Sequence, residues 1–235
     1  MTLLCAPTGA GKTSFLASIG AQLIMAGVDH FVAPVETGSM DFAVRTVSAL
    51  VGQELNHADK VPAETVRTVL VKLKQFKATG RGHISNYDNR VDIDEMIAML
   101  KYQYETNKIK VAILDNLNFF LKVTSAHMEK AEMDSAVHEF VMAAKKLPIH
   151  IVLVVHPRKT DGGRVESEFD IKGSSTAVQE ASNVILFNRA KREDLEKGLR
   201  SPNQRELVFK KLRRRGMFVD RPIWFEYTNG RYREV

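Results

Sequence analysis

Residues 6–13 read Ala-Pro-Thr-Gly-Ala-Gly-Lys-Thr, with the apolar run TLLC at 2–5 just before them and a helix-forming stretch over 12–26 just after. The phosphate-binding pattern is a glycine, four free positions, Gly-Lys, then Ser or Thr. Ala6 replaces the first glycine; the rest fits. Gly9 and Gly11 let the backbone curl so that successive N–H groups converge on phosphate oxygens. The helix beginning near Lys12 aims its positive end at the same point. Lys12 brings a point charge for the β- and γ-phosphates, and the Thr13 hydroxyl a ligand for magnesium. Pro7, Thr8, Gly9, Ala10, Gly11, Lys12, Thr13 and Ser14 are therefore the candidate binders of a nucleoside triphosphate with Mg2+. A chance glycine-rich turn would lack the strand before it and the helix after it.

Outward from this loop, short apolar strands alternate with longer amphipathic helices, the pattern of an α/β domain with a mostly parallel sheet. Strands are expected at 2–5, 30–35, 111–115, 149–155 and 184–188, with an extended segment at 84–91. Pro34 makes the second strand irregular, because proline cannot donate to a ladder. Helices are expected at 12–26, 40–55, 63–78, 93–105, 128–146 and 175–181, with Asp92 and Glu95 as a capping pair for the fourth. The C-terminal part changes character: 206–213, 222–227 and 230–234 read as strands, with Asn229-Gly230 as a hairpin turn. The segments 116–127 and 157–172 read as polar loops.

The 235 residues suffice for one α/β domain and are short for two. No apolar run reaches the length of a membrane span, and no secretory signal precedes the first strand. One cysteine, Cys5, excludes an internal disulfide framework and makes a reducing cytoplasm the expected compartment, the host's if the chain is phage-encoded. The formal charge of +6 favours polyanionic partners, and the segment 208–215 concentrates Lys210, Lys211, Arg213, Arg214 and Arg215 without an acid.

Four further positions carry chemistry by their place in this pattern. Asp115 ends the apolar strand VAILD, where an acid holds magnesium in phosphate-loop proteins; a turn cap is the other role for such a residue. Glu36 follows HFVAPV, at the edge of the sheet beside the phosphate loop. There it can orient or deprotonate an attacking water, or be a solvated loop acid. His156 ends IHIVLVV, where it can contact a γ-phosphate and report its loss, or serve structurally. Lys211 and Arg213, two apart on an expected strand, share one face and can reach one anion, or blunt a sheet edge.

Six motifs in order, APTGAGKT, FVAPVETG, VAILDNLNFF, VLVVHPRK, IKGSSTAVQEASN and FKKLRRRG, resemble the motor domain of the DnaB-type replicative helicases, closest to the phage primase–helicase and Twinkle branch. The resemblance spans essentially the whole chain. It implies a RecA-like core over 1–235 as a single ATPase domain, with a C-terminal antiparallel extension and without a primase domain or linker helix. It also implies an ATP- or other NTP/dNTP-driven motor moving 5′ to 3′ on single-stranded DNA and unwinding duplex. The catalytic residues it implies are Lys12, Glu36, Asp115 and His156, with Gln179 coupling nucleotide state to DNA. Lys211 and Arg213 would act in trans on the neighbouring subunit's nucleotide in a hexameric ring. Lys122, Lys159, Arg164 and Lys172 would contact DNA, and Tyr227 would stack on the nucleotide base. Primase and polymerase are the implied partners. The same fold also serves recombinases and protein-directed ATPases. A DNA-binding module that uses nucleotide only as a switch is the alternative from another class.

Overall fold

A computed structural model describes the chain from Met1 to Val235 apart from residues 56–60, 88–89, 123–125, 159–163, 173–174, 214–218 and 220. Among the described residues, nine strands form one sheet. They are β1 (Thr2–Cys5), β2 (His30–Pro34), β3 (His83–Ile84), β4 (Val111–Asp115), β5 (His150–Val155), β6 (Asn183–Arg189), β7 (Gln204–Leu212), β8 (Ile223–Thr228) and β9 (Arg231–Glu234). The order is β3-β2-β4-β5-β1-β6-β7-β8-β9. From β3 to β6 every pairing is parallel; from β6 to β9 every pairing is antiparallel.

The central strands are unbroken apolar runs because they are covered on both faces. Alternate residues face opposite sides. Leu3, Ala112, Leu114, Ile151 and Leu153 join one core, with Met96 and Leu100 of α4 (Ile93–Asn107) and Val137 and Phe140 of α5 (Ala126–Lys146). Leu4, Val32, Ile113 and Val154 join the other, with Phe15 and Leu16 of α1 (Lys12–Met25) and Phe42 of α2 (Ser39–Val51). The C-terminal hairpin closes the second core: Tyr232 of β9 sits edge-on to Phe15 at 5.6 Å and to Phe187 at 5.8 Å. Helix α3 (Ala63–Ala78) packs on α2 at the periphery.

Several boundaries differ from expectation for identifiable reasons. Helix α2 ends at Val51 rather than 55, because Gly52 takes a left-handed conformation with φ 71°. Of the extended segment 84–91, only Ile84 joins the sheet, alongside His83. Pro34 is tolerated at the end of β2. The Val32 carbonyl accepts from Ser85 N at 2.8 Å on the β3 side, and Pro34, two residues on, shares that side where β3 has ended. The loop 116–127 is less polar than its composition suggests: Leu117–Phe120 form a 3-10 turn, and Leu117, Phe120 and Leu121 are buried. Phe120 meets Phe140 edge-on at 5.4 Å, which draws the turn onto α5. Asp92 caps α4 by accepting from Asp94 N at 2.9 Å, whereas Glu95 turns to Tyr87. Two helices follow late in the chain, α6 (Ser175–Glu180) as expected and α7 (Arg192–Glu196), five residues that the periodicity does not reveal. The hairpin turn forms as expected, with positive φ at both Asn229 and Gly230. No helix among the described residues is long and apolar enough to cross a membrane.

Candidate functional site

The parallel strands deliver the candidate residues to one edge of the sheet. Strand β1 runs into the phosphate loop, β2 into Glu36 and Thr37, β4 into Asp115 and Asn116, and β5 into His156. Backbone bonds continue the ladders past the strand ends, from Glu36 N to Asp115 O at 3.1 Å and from Ala6 N to Val155 O at 3.4 Å. The loop curls as expected, with φ 72° at Gly9 and 91° at Gly11. Gly11 also faces the Tyr232 hydroxyl so closely that a β-carbon there would collide with it. A cleft of about 440 Å³ opens here, lined by the loop together with Glu36, Thr37, Arg45 and His156.

Inside the cleft the side chains form one network. The Lys12 ammonium, almost fully buried, donates to Glu36 Oε2 at 2.5 Å and lies 3.0 Å from Asp115 Oδ1. The Asn116 amide donates to Glu36 Oε2 at 2.5 Å and to His156 Nε2 at 2.9 Å. His156 Nε2 is also 3.5 Å from Glu36 Oε2. Glu36 is held well below the usual carboxylate range. The His156 ring beside it is the largest cause, the ion pair with Lys12 and the Asn116 amide act the same way, and partial burial opposes them. Asp115 moves in the other direction: burial pushes its carboxyl up, against the pull of Lys12.

Asp115 bears on magnesium. It is fully buried, and neither carboxylate oxygen has a hydrogen-bond partner among the described residues; Lys12 is close but not aligned to donate. A buried carboxylate is costly without charge and donors beside it, and a hydrated divalent cation supplies both. The Thr13 hydroxyl, 3.2 Å from that of Thr37, is the second oxygen ligand at this end. The residues present fit Mg2+.

Three functional features escape the sequence reading. Asn116 and Thr37 directly follow the strand-tip acids, and that adjacency is the signal that could have found them. Arg45, on α2, donates to Ser14 Oγ at 2.9 Å. Arg189 ends β6 and donates to Gly9 O, and Arg205, its partner across the antiparallel pairing, donates to Ala10 O at 2.6 Å. Both brace the back of the phosphate loop, beside a second cleft of about 620 Å³. Their convergence depends on a pairing that no local pattern announces.

The remaining candidates lie elsewhere. Lys211 pairs in register with Val184, at the start of β6, whereas the phosphate loop meets Arg189 at its end. Five residue steps, roughly 17 Å along the strand, separate the two levels. At that far level Lys211 donates to the carbonyls of Val178 and Gln179 at 2.7 Å each, and Arg213 to that of Gln179 at 2.8 Å. The pair does share one side, and it grips the end of the helix that carries the exposed Gln179 side chain. Burial and the neighbouring Arg213 pull the Lys211 ammonium down. Tyr227 donates to Glu54 Oε2 at 2.6 Å, stacks obliquely on Tyr232 and lines neither cleft. Lys122 pairs with Asp92. Arg164 is turned inward, with ion pairs to Glu166 at 3.1 Å and to Glu206. Lys172 donates its backbone N–H to His156 O at 3.0 Å, at the neck of the loop, where Pro157 bridges to Ile171. Lys159 lies outside the described residues.

Fold and site together define a RecA-like domain built around a phosphate loop at the carboxyl edge of its parallel strands. Two solved structures share this architecture across the whole chain. One is of a DnaB-like replicative helicase and its interactions with primase: TM-score 0.80, 13% identity, 99% of this chain and 58% of that one. The other is the ATPase domain of a phage helicase: TM-score 0.80, 13% identity, 100% of this chain and 84% of that one. The chain thus spans little more than half the length of the first. No protein-family model matches the sequence.

Proposed function

We propose that this chain is the NTP-hydrolysing motor domain of a replicative DNA helicase of the DnaB-like kind. The observation that carries the reading is the single network joining Lys12, Glu36, Asp115, Asn116 and His156 at the mouth of the phosphate loop. The fold shared with two helicase ATPase domains supports it.

The chemistry follows from the contacts. The phosphate-loop N–H groups and Lys12 receive the β- and γ-phosphates. Phosphate oxygens compete with Glu36 for the Lys12 ammonium. Once Lys12 is drawn off, Glu36 loses a partner that holds it ionised, and it becomes a stronger base for the attacking water. Thr13 and Asp115 would hold Mg2+, which neutralises charge on the transferred phosphoryl group when bound. Lys211 and Arg213 lie too far down the sheet to serve their own chain's nucleotide. In a hexameric ring they would serve the neighbour's, where a cation supplied in trans is worth roughly 10³–10⁵ in rate. His156 and Gln179 would pass the loss of the γ-phosphate to the loop 157–172. Lys122, Lys159 and Lys172 would meet single-stranded DNA, moving it 5′ to 3′, while Arg164 anchors that loop from inside. Tyr227 is the candidate for the nucleotide base, and primase and polymerase are the candidate partners.

The test is nucleotide hydrolysis against protein concentration, with and without single-stranded DNA, beside Lys12→Ala. Activity rising more than linearly with protein, stimulated by DNA and lost in the variant, is the expected result. Activity linear in protein and indifferent to DNA would point to another RecA-like ATPase. DNA affinity should fall with salt, with a log–log slope of about −0.7 per phosphate neutralised.

A further inference from the structure

Asn116 is 1% exposed and sits where β4 leaves the sheet, between the ends of β2 and β5. Its side-chain amide is fully used. Oδ1 accepts from Asn118 N at 3.0 Å, which fixes which end of the amide faces the cleft. That leaves Nδ2, with two N–H bonds, aimed at Glu36 Oε2 at 2.5 Å and at His156 Nε2 at 2.9 Å. An amide nitrogen can only donate, so the neutral His156 ring accepts at Nε2 and carries its proton on Nδ1. His156 is in turn tied by its carbonyl to Lys172 N, at the neck of the loop 157–172.

The geometry assigns to Asn116 the role of positioning residue for the hydrolytic reaction. It binds the base and the phosphate-facing histidine to one rigid donor, so that neither side chain moves without the other. The assignment rests on the reading of Glu36 as the base. Glu36 is a surface-facing carboxylate on a loop, and without Asn116 its second restraint is Lys12, which the triphosphate draws away. Asn116 is thus the contact that keeps Glu36 in place at the moment it must act. Through the Nε2 bond it also sets which nitrogen of His156 faces the phosphate as an acceptor.

Two substitutions separate this role from a merely structural one. Asn116→Asp keeps the shape and the acceptor for Asn118 N but removes both N–H donors. Asn116→Ala removes the donors without adding charge. Both should keep nucleotide affinity within about twofold and lower kcat roughly 10- to 100-fold, the range for losing a group that orients a functional side chain. Loss confined to the Asp variant would mean charge repulsion alone and would overturn the assignment, as would a kcat within twofold of the parent in both. A second readout stands apart from turnover: the imidazole nitrogen resonances of His156 in the nucleotide-free chain. The parent should show Nδ1 protonated and Nε2 bare, and Asn116→Ala a mixture of tautomers. Identical spectra in the two would refute the clamp even if the parent hydrolyses nothing. A parent silent in hydrolysis with the tautomer change present would instead sink the proposed activity and leave the clamp standing.

Discussion

The two ends of the parallel sheet use their charges in opposite ways. At the carboxyl end, Lys12 is buried between Glu36 and Asp115, and its charge is balanced by carboxylates from two neighbouring strands. At the amino end, Lys211 and Arg213 meet only backbone carbonyls of the helix carrying Gln179 in their hydrogen bonds. A carbonyl satisfies the donors of a cation but leaves its charge uncompensated. The first end is a site complete within one chain. The second holds net positive charge in reserve, turned away from that site, and suits an anion brought by another copy.

The sharpest way to break this contrast is Arg213→Ala. If the amino end serves a neighbour, kcat should fall roughly 10³- to 10⁵-fold with nucleotide affinity retained. Mixing it with Lys12→Ala, inactive by itself, should restore hydrolysis, because mixed rings contain some intact sites. Turnover measured across mixing ratios decides it; an additive line through two dead variants would show that the amino end takes no part. Next in size is Glu36→Gln, which should cost about 10²–10⁴ in kcat, the usual range for a proton-accepting side chain. The same variant tests the pH sign. Glu36 is held below its unfolded range, so its contribution to stability is present at neutral pH, begins to fall as pH drops below the unfolded carboxylate range, and is lost through its lower folded value. The acid limb of a thermal-melt series should therefore be shallower in Glu36→Gln.

How much of this contrast was legible beforehand differs between the ends. The carboxyl end was nearly all readable, because each residue there terminates a buried apolar strand, and strand order in a parallel sheet gathers such termini at one edge. Lys12, Glu36, Asp115 and His156 follow from that alone. Asn116 did not, since its role lies in the direction of an amide and not in a residue type. The amino end needed tertiary information. The spacing of Lys211 and Arg213 predicted a shared side, but not that the side faces a helix end. Arg164 read as a loop cation because sequence cannot show that Glu206, 42 positions on, waits beneath it.

A smaller effect asks whether the carboxyl end is as closely built as its contacts imply. Gly11→Ala places a β-carbon at φ 91° and against the Tyr232 hydroxyl. A non-glycine residue held there costs about 1–3 kcal/mol. At roughly 2–4 °C per kcal/mol for a domain of this size, the melting temperature should fall by about 2–12 °C. Tyr232→Phe in the same background should recover part of it. An unchanged melt would mean that the hairpin does not press on the loop.

Cys5 gives the finest probe of the same end, since it closes β1 directly beneath the loop. It is fully buried, and burial pushes its thiol up to about 12 from an ordinary 9.0, with Asp170 adding to the rise and Lys12 opposing it. The folded chain therefore keeps this proton where the unfolded chain gives it up. Stability falls with pH wherever the unfolded state binds fewer protons, so the loss begins near pH 9 and continues until the folded thiol itself ionises. By about pH 10 it should reach about 1.4 kcal/mol, one pKa unit's worth. Cys5→Ala removes the titration, so its denaturant midpoint should decline less from about pH 8 to about pH 10 than that of the parent. The native thiol should also resist alkylation at about pH 8 until the chain is unfolded. Equal alkaline slopes, or prompt labelling of the folded chain, would mean that water reaches the floor of the phosphate loop. The balance of buried charges drawn for that end would then have to be given up.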